Sequence, residues 1–231
     1  MPTLPIPQSS IGKKAVMAVT GLMMFGFILG HLAGNLLIYA GPDTFNAYAK
    51  KLQSLGEFLW VARCILLTAL LFHVLSAIQL TFENRKARPI GYRRYDPEVT
   101  TYAARTMMLS GIILTAFIVY HLLHFTFRLT HPEVSNLHDA RGNHHVYAMV
   151  VQSFRQWPVA VAYIAAMVPL CLHLSHGISS AFQSLGLQNN RLLPVFKNAA
   201  RGIALLIFVG YASIPAACLS GLIQYTAGRT P

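Results

Sequence analysis

Long apolar runs separated by short polar segments dominate the chain. Five runs are long enough to cross about 30 Å of hydrocarbon, which takes about 20 helical residues; they lie at residues 15–40, 59–82, 105–128, 157–182 and 202–225. The first run is too long for the core of a signal peptide and no small-residue cleavage pattern follows it, so we interpret it as a retained span. The pattern predicts one all-α transmembrane domain over residues 1–231, an integral membrane bundle of five transmembrane helices.

The composition agrees with this pattern, because 55% of the residues are hydrophobic and only 11% are charged. A soluble domain normally carries about twice that share of charge. The chain has 18 Lys and Arg against 7 Asp and Glu, but these charges lie between the apolar runs and form no stripe for nucleic acid. We therefore exclude nucleic acid as a partner and use the basic excess as a topology signal.

The distribution of basic residues predicts the orientation. Eleven of them fall on the side of the N-terminus and seven on the opposite side. By the positive-inside rule the N-terminus is cytoplasmic, so the first and third spans run outward and the second and fourth run inward. Trp60 and Trp157 start spans at the outer face, where indole rings prefer the membrane interface.

The three cysteines, Cys64, Cys171 and Cys218, all lie within apolar runs. We interpret them as core residues, and the sequence gives no support for a disulfide framework. It contains no C-x-x-C-H motif for covalent haem attachment and no cysteine cluster for an iron–sulfur centre. Any such centre must belong to another chain.

Histidines recur in the first four predicted spans. Ionisable residues inside a membrane are costly and are candidates for function; here they are His31, His73, His121, His124, His173 and His176. A single histidine of this kind is often only hydrogen-bonded to a neighbouring helix. Their presence on four consecutive spans favours a shared role as ligands.

Two of these histidines have the same predicted depth in the outer leaflet. His31 lies 17 residues after Lys14. His121 lies 16 residues after Arg105. At helical rise both are about 25 Å from the cytoplasmic charges.

His73 and His173 share a depth in the inner leaflet. His73 lies 10 residues before Glu83, and His173 lies 10 residues before Gln183, which is about 15 Å from the cytoplasmic end. In an up-down-up-down four-helix bundle the first and third helices are diagonal, as are the second and fourth. The first four spans should therefore form a bundle with one histidine pair per leaflet.

Each pair fits a six-coordinate, low-spin haem, in which two histidines leave no open position for oxygen or substrate. This chemistry predicts electron transfer through two b haems. His124 and His176 follow ligand candidates by three residues but match the partner depths less well, so we interpret them as haem-edge or hydrogen-bonding residues. Gly26, Gly30 and Gly34 form a small-residue stripe that allows close approach of a helix or a porphyrin.

The histidine pattern and its flanking segments resemble the cytochrome b membrane anchor of succinate:quinone oxidoreductases and fumarate reductases, of the five-helix di-haem type. The similarity spans nearly the whole chain and is carried by SSIGKK, HLAGN around His31, LLFH ending at His73, SGIILTAFIVYHLLHF around His121, and LHLSHGISSAFQSLGL around His173. The resemblance implies iron ligation by one histidine from each of the first four helices. It assigns His31 and His121 to the distal haem and His73 and His173 to the proximal haem.

The same resemblance implies the partners of the chain. It would be the non-flavin subunit of a succinate dehydrogenase or fumarate reductase in a bacterial inner membrane, bound by a flavoprotein and an iron–sulfur subunit on the cytoplasmic side. Electrons would pass through both haems to a quinone, which in this type is usually menaquinone. Succinate and fumarate bind elsewhere, so the sequence is compatible with either direction.

Other functions remain open at this level. One is a di-haem b anchor of a hydrogenase, formate dehydrogenase or nitrate reductase; another is a histidine-lined membrane transporter, although its expected mid-membrane acids and broken helices are not visible. A zinc site at His138, His144 and His145 has no further ligand pattern to support it.

Two connections carry further predictions. Five basic residues crowd one cytoplasmic connection and predict docking of the iron–sulfur subunit, with anionic lipid as the alternative; they are Arg85, Lys86, Arg88, Arg93 and Arg94.

The outer connection 129–156 has 28 residues, long enough to cover a quinone pocket. Its apolar run 147–151 should lie along the membrane interface. Protons for the quinone would come from interfacial groups such as Glu57 or from water.

Overall fold

A computed structural model describes residues 9–87, 101–138, 142, 144–189 and 191–225. The predicted all-α class is confirmed. Within the described ranges there is no β-strand, and the one extended pairing is a single bridge between His138 and His144.

The described residues form nine α-helices and two short helical turns. In order they are α1 (Ser10–Leu36), a 3-10 turn (Leu37–Ala40), α2 (Pro42–Gln53), α3 (Glu57–Ala87), α4 (Tyr102–Arg105), α5 (Met107–His121), a π-helical turn (Leu122–Thr126), α6 (Pro132–Ser135), α7 (Val146–Arg155), α8 (Trp157–Ser184) and α9 (Leu193–Leu219).

Among the described residues, five helical segments are long and apolar enough to cross a membrane, as predicted. They are Ser10–Ala40, Glu57–Ala87, Met107–Thr126, Trp157–Ser184 and Leu193–Leu219. Large apolar side chains on them, such as Leu71 and Phe72 of α3, are exposed. Exposed apolar surface on this scale needs lipid or a partner to cover it.

The fifth span differs from its predicted limits of 202–225, because α9 begins at Leu193 and ends at Leu219. Proline is well tolerated in the first turn of a helix, and Pro194 stands there. Lys197 and Arg201 interrupt the apolar run but do not interrupt the helix, so hydropathy alone placed the start too late.

The contacts divide the chain into two compact units, whereas the single domain over residues 1–231 stays a prediction. The first unit consists of Met1–Leu29, Trp60–Gly111 and Cys171–Leu205. The second consists of Gly30–Leu59, Ile112–Leu170 and Leu206–Pro231. Each of the five spans contributes residues to both units.

In the first unit, an ion pair between Lys13 and Glu83 joins the start of α1 to the end of α3. The two helices therefore run in opposite directions here, as consecutive spans must. Arg85 and Lys86 follow in the last turn of α3 and are exposed. Basic residues from two spans thus lie at the same end of this unit.

In the second unit, α7 provides much of the core. Tyr147, Met149 and Val151 are 6%, 4% and 0% exposed. The backbone N–H of Tyr147 donates to Oδ1 of Asn46 at 2.9 Å and so ties α7 to α2. The run 147–151 was predicted to lie along the interface in a loop, but it is helical and packs inside the unit.

Candidate functional site

The inner histidine pair lies in the first unit. His73 on α3 and His173 on α8 have ring centroids 6.2 Å apart and ring planes inclined by 58°. Both side chains are partly buried. The structure thus brings together the two histidines that equal depth had paired.

Hydrogen bonds fix the tautomer of His73. Its Nδ1 lies 3.0 Å from the carbonyl oxygen of Met17 on α1. A carbonyl only accepts, so Nδ1 must carry the hydrogen and the lone pair of the neutral ring belongs to Nε2. A hydrogen bond donated by the nitrogen that does not bind the metal orients a metal-ligating imidazole in this way.

His173 reaches the same tautomer through a serine. Its Nδ1 lies 3.1 Å from Oγ of Ser110 on α5, which is only 3% exposed. Ser110 donates its own hydroxyl hydrogen to the carbonyl of Met107 at 3.0 Å. The serine oxygen is therefore left to accept from His173, whose lone pair again belongs to Nε2.

Glycines face both of these rings. A Cβ at Gly21 on α1 would lie 3.1 Å from Cε1 of His73, which is tighter than ordinary contact. A Cβ at Gly111 would lie 3.7 Å from Cε1 of His173. In the predicted stripe, Gly34 allows close approach of the Tyr48 ring, whereas Gly26 and Gly30 face no atom within 4 Å.

The outer histidine pair lies in the second unit. His31 on α1 and His121 at the end of α5 have ring centroids 5.9 Å apart, with ring planes inclined by 83°. Nδ1 of His121 lies 3.4 Å from the hydroxyl of Tyr163 on α8. The ring of Tyr211 on α9 contacts His31 at a centroid distance of 6.2 Å.

Aromatic rings enclose His121. The rings of Phe117, Phe125 and Tyr163 have centroids 6.0, 5.7 and 5.9 Å from it. An apolar, aromatic surround limits water and is one of the ways a protein controls a redox cofactor.

Both pairs have the separation that an iron between two imidazoles requires. Imidazole nitrogens bind metals at about 2 Å, which puts the centroids of two rings on opposite sides of one ion about 6 Å apart. The observed 5.9 Å and 6.2 Å agree with this value. The donor set is also suitable, because neutral imidazole is a normal haem ligand.

His124 has no nitrogen left for a metal. It is 0% exposed, with Nδ1 3.0 Å from the hydroxyl of Tyr163 and Nε2 3.1 Å from Oγ of Ser153. The π-helical turn Leu122–Thr126 contains it, and such turns are frequent at functional sites. This geometry favours a hydrogen-bonding role.

His176 is hydrogen-bonded within α8 and lies beside a polar cleft of the first unit. Its Nε2 is 3.0 Å from Oγ of Ser180, one turn further along α8. His176 and Ser180 line a cleft with Thr101, Lys197 and Arg201. The hydrogen bond again favours a role other than ligation.

The outer-loop histidines form no metal site in the part of the chain that the structure describes. No group of three or more potential ligands occurs there. Nε2 of His144 donates to the carbonyl of Ser135 at 2.7 Å, and burial lowers the pKa of His144. Nδ1 of His145 accepts from the N–H of Ala148 at 3.1 Å and caps α7.

The sequence did not predict the partners of the ligand candidates. Ser110 and Tyr163 are polar residues inside apolar spans, and that property was the only signal they gave. The Met17 carbonyl gave none. Of the five basic residues in the connection that was predicted to be cytoplasmic, Arg88, Arg93 and Arg94 lie outside the described residues.

The sequence model of the succinate dehydrogenase/fumarate reductase transmembrane subunit matches residues 84–211, more than half of the chain. This stretch includes His121 and His173. No significant match to a curated protein or to a solved structure was found.

Proposed function

Because the chain belongs to the family of succinate dehydrogenase/fumarate reductase transmembrane subunits, we propose that it is a di-haem cytochrome b anchor. In this role it passes electrons from an iron–sulfur subunit through two b haems to a quinone. The observation that carries the proposal is that each unit contains two neighbouring histidines. Their ring centroids are 5.9 Å apart in one unit and 6.2 Å apart in the other.

The four histidines divide into two ligand sets. His73 and His173 hold the proximal haem, and His31 and His121 hold the distal haem. The haems supply one-electron chemistry when bound, and ligation by two imidazoles leaves the iron no open position. The protein's own contribution is to present each imidazole in one tautomer and to keep water away from it.

The proposed partners are a flavoprotein subunit and an iron–sulfur subunit at the cytoplasmic side of a bacterial inner membrane. The N-terminus lies on that side. The ion pair between Lys13 and Glu83, with Arg85 and Lys86 nearby in sequence, supports this orientation because it gathers basic residues at one end of the first unit.

The electron acceptor in this proposal is a quinone, with menaquinone as the expected type. We place its pocket near the outer end of the second unit, beside the haem of His31 and His121. Helix α7 supports this location, since its buried side chains form the core of the unit that holds this pair.

Family membership argues against the other candidate functions. A hydrogenase, formate dehydrogenase or nitrate reductase anchor would accept electrons from a different soluble subunit, and a transporter would need no haem. The first alternative therefore differs from the proposal in the electron donor, and the second differs in having no electron transfer.

Purification of the tagged protein with its complex from native membranes tests the proposal. We expect a flavoprotein and an iron–sulfur protein to co-purify, and we expect succinate to reduce haem in the preparation. Reduction by hydrogen or formate without any response to succinate would contradict it.

A further inference from the structure

A buried chain of hydrogen bonds begins at His121 and continues inside the second unit. The hydroxyl of Tyr163 lies 3.4 Å from Nδ1 of His121 and 3.0 Å from Nδ1 of His124. Nε2 of His124 lies 3.1 Å from Oγ of Ser153. Four side chains from three helical segments are thus linked in series.

The hydrogens of this chain can be ordered in two directions. A tyrosine hydroxyl donates one hydrogen and accepts another, and a neutral imidazole has one donor and one acceptor nitrogen. In one direction His121 donates to Tyr163, Tyr163 donates to His124, and His124 then donates to Ser153. In the opposite direction every donor and acceptor is exchanged.

Ligation of His121 selects the first direction. A neutral imidazole that gives the lone pair of Nε2 to a metal carries its hydrogen on Nδ1, which must donate. The hydroxyl oxygen of Tyr163 then accepts, and its hydrogen turns to His124. Nε2–H of His124 finally donates to Ser153.

Water cannot replace the donors and acceptors at the far end of this hydrogen-bond series. His124 and Ser153 are each 0% exposed, and Tyr163 is 7% exposed. The Phe125 ring stacks on His124 with centroids 4.0 Å apart. In such a low-dielectric surround, hydrogen bonds in series strengthen one another.

We propose that Tyr163 is a positioning residue for the haem held by His31 and His121, and that His124 and Ser153 polarise it. Tyr163 keeps His121 in its Nδ1–H form and makes it a more basic ligand, which stabilises the oxidised iron and lowers the reduction potential of this haem. The inference rests on the ligand role of His121 in the proposed function.

The test compares Tyr163→Phe with Tyr120→Phe in the assembled membrane complex. Tyr120 belongs to the same aromatic cluster, with its ring centroid 5.8 Å from that of Tyr163. Its hydroxyl contacts Nε2 of His131 at 3.5 Å and makes no hydrogen bond with His121 among the bonds described. Both changes remove one hydroxyl, but only the first removes the acceptor of His121.

The readouts are haem content, an optical redox titration and the electron paramagnetic resonance of the low-spin haems. For Tyr163→Phe we expect two haems, one midpoint potential shifted upward with an altered resonance, and the other potential unchanged. Tyr120→Phe should match the wild type. Two retained haems with unshifted potentials, or an equal shift in both variants, would overturn the inference.

Ser153→Ala gives a second, milder test. It removes the last acceptor and leaves His121 and Tyr163 in place, so we expect a smaller upward shift of the same potential. If Tyr163→Phe loses the haem, this variant decides, and an unshifted potential rejects the inference. Failure of the ligand role of His121 itself would differ from all these outcomes, because the wild-type protein would then lack the haem that is assigned to His31 and His121.

Discussion

Ser110 accepts a hydrogen bond from His173 across 3.1 Å, because its own hydroxyl hydrogen is already donated to the carbonyl of Met107. This relationship fixes which nitrogen of His173 has the lone pair. Without this contact, the hydroxyl of a serine inside an apolar span would form a hydrogen bond only with a backbone carbonyl of its own helix.

Ser110→Ala should therefore weaken the proximal haem site. It leaves Nδ1–H of His173 without its acceptor, and loss of the residue that hydrogen-bonds to a metal ligand typically lowers metal affinity by about 10- to 100-fold. Haem retained after competition with apomyoglobin measures the effect. Ser175→Ala is the control, since Ser175 makes the same kind of bond to the carbonyl of Leu172 at 2.8 Å; an equal loss in both variants would argue against the role of Ser110.

Single alanine variants of the four ligand candidates should each remove one haem. Variants of His31 and His121 should lack the same haem, and variants of His73 and His173 should lack the other, because each pair shares one iron. Haem per protein and the optical spectrum of the remaining haem distinguish the cases. Loss of both haems from every variant would leave the pairing without support.

The adjacent histidines provide matched controls for that series. His124→Ala and His176→Ala should retain two haems, because both histidines are hydrogen-bonded within the protein. His124→Ala should still lower stability, since it removes the bonds of His124 to the hydroxyl of Tyr163 and to Oγ of Ser153. The buried Ser153 hydroxyl then lacks its partner, at a cost of about 1–3 kcal/mol. Loss of one haem from either control would show that the wrong histidine was chosen on that helix.

The cytoplasmic basic connection should bind the iron–sulfur subunit. Arg93→Glu with Arg94→Glu reverses the charge of two residues, which lie outside the described part of the chain. We expect the soluble subunits to be lost on purification while haem content stays the same. Normal assembly with unchanged haem would indicate that the basic residues bind anionic lipid instead.

Lys50→Glu with Lys51→Glu is the control for this experiment. Both lysines are exposed in the last turn of α2, and the distribution of basic residues predicts that they lie on the non-cytoplasmic side. The same change in charge should leave the complex intact there.

The outer quinone pocket can be tested through α7. Tyr147 and Met149 are buried. Tyr147→Phe and Met149→Leu therefore nearly keep the side-chain volume at each position while they change the side chains of α7. Tyr147→Phe removes the bond from its hydroxyl to the carbonyl of Gln224 at 3.3 Å. We expect a severalfold loss of quinone-dependent turnover, with unchanged turnover to an artificial acceptor upstream of the haems.

The control is Tyr102→Phe, which removes an exposed hydroxyl in the first unit. Its quinone-dependent turnover should equal that of the wild type. If the α7 variants also keep both activities, the quinone reacts elsewhere, and the cytoplasmic side near the proximal haem becomes the better location.

The sequence was sufficient to predict the five spans, because a span requires a long apolar run and such a run can be read directly from one sequence. Counting residues along straight helices also predicted that His31 lies beside His121 and His73 beside His173, and the ring contacts agree. That these rings bind haem iron stays a prediction. The start of α9 was misplaced because Lys197 and Arg201 lie inside the helix.

The remaining features depend on contacts between distant residues. Helix α7 was predicted as a loop, and its burial involves Asn46, which lies 101 residues before Tyr147. The acceptor roles of Ser110 and Tyr163 likewise arise from packing of α5 against α8. Neither relationship has a local sequence pattern.

The presence of two haems is tested most directly by a reduced-minus-oxidised optical spectrum of the purified protein, combined with haem quantification per chain. We expect a low-spin b-type spectrum and two haems per chain, both reducible. A protein that purifies folded with no haem, or with a single haem that survives alanine substitution of either histidine pair, would contradict it.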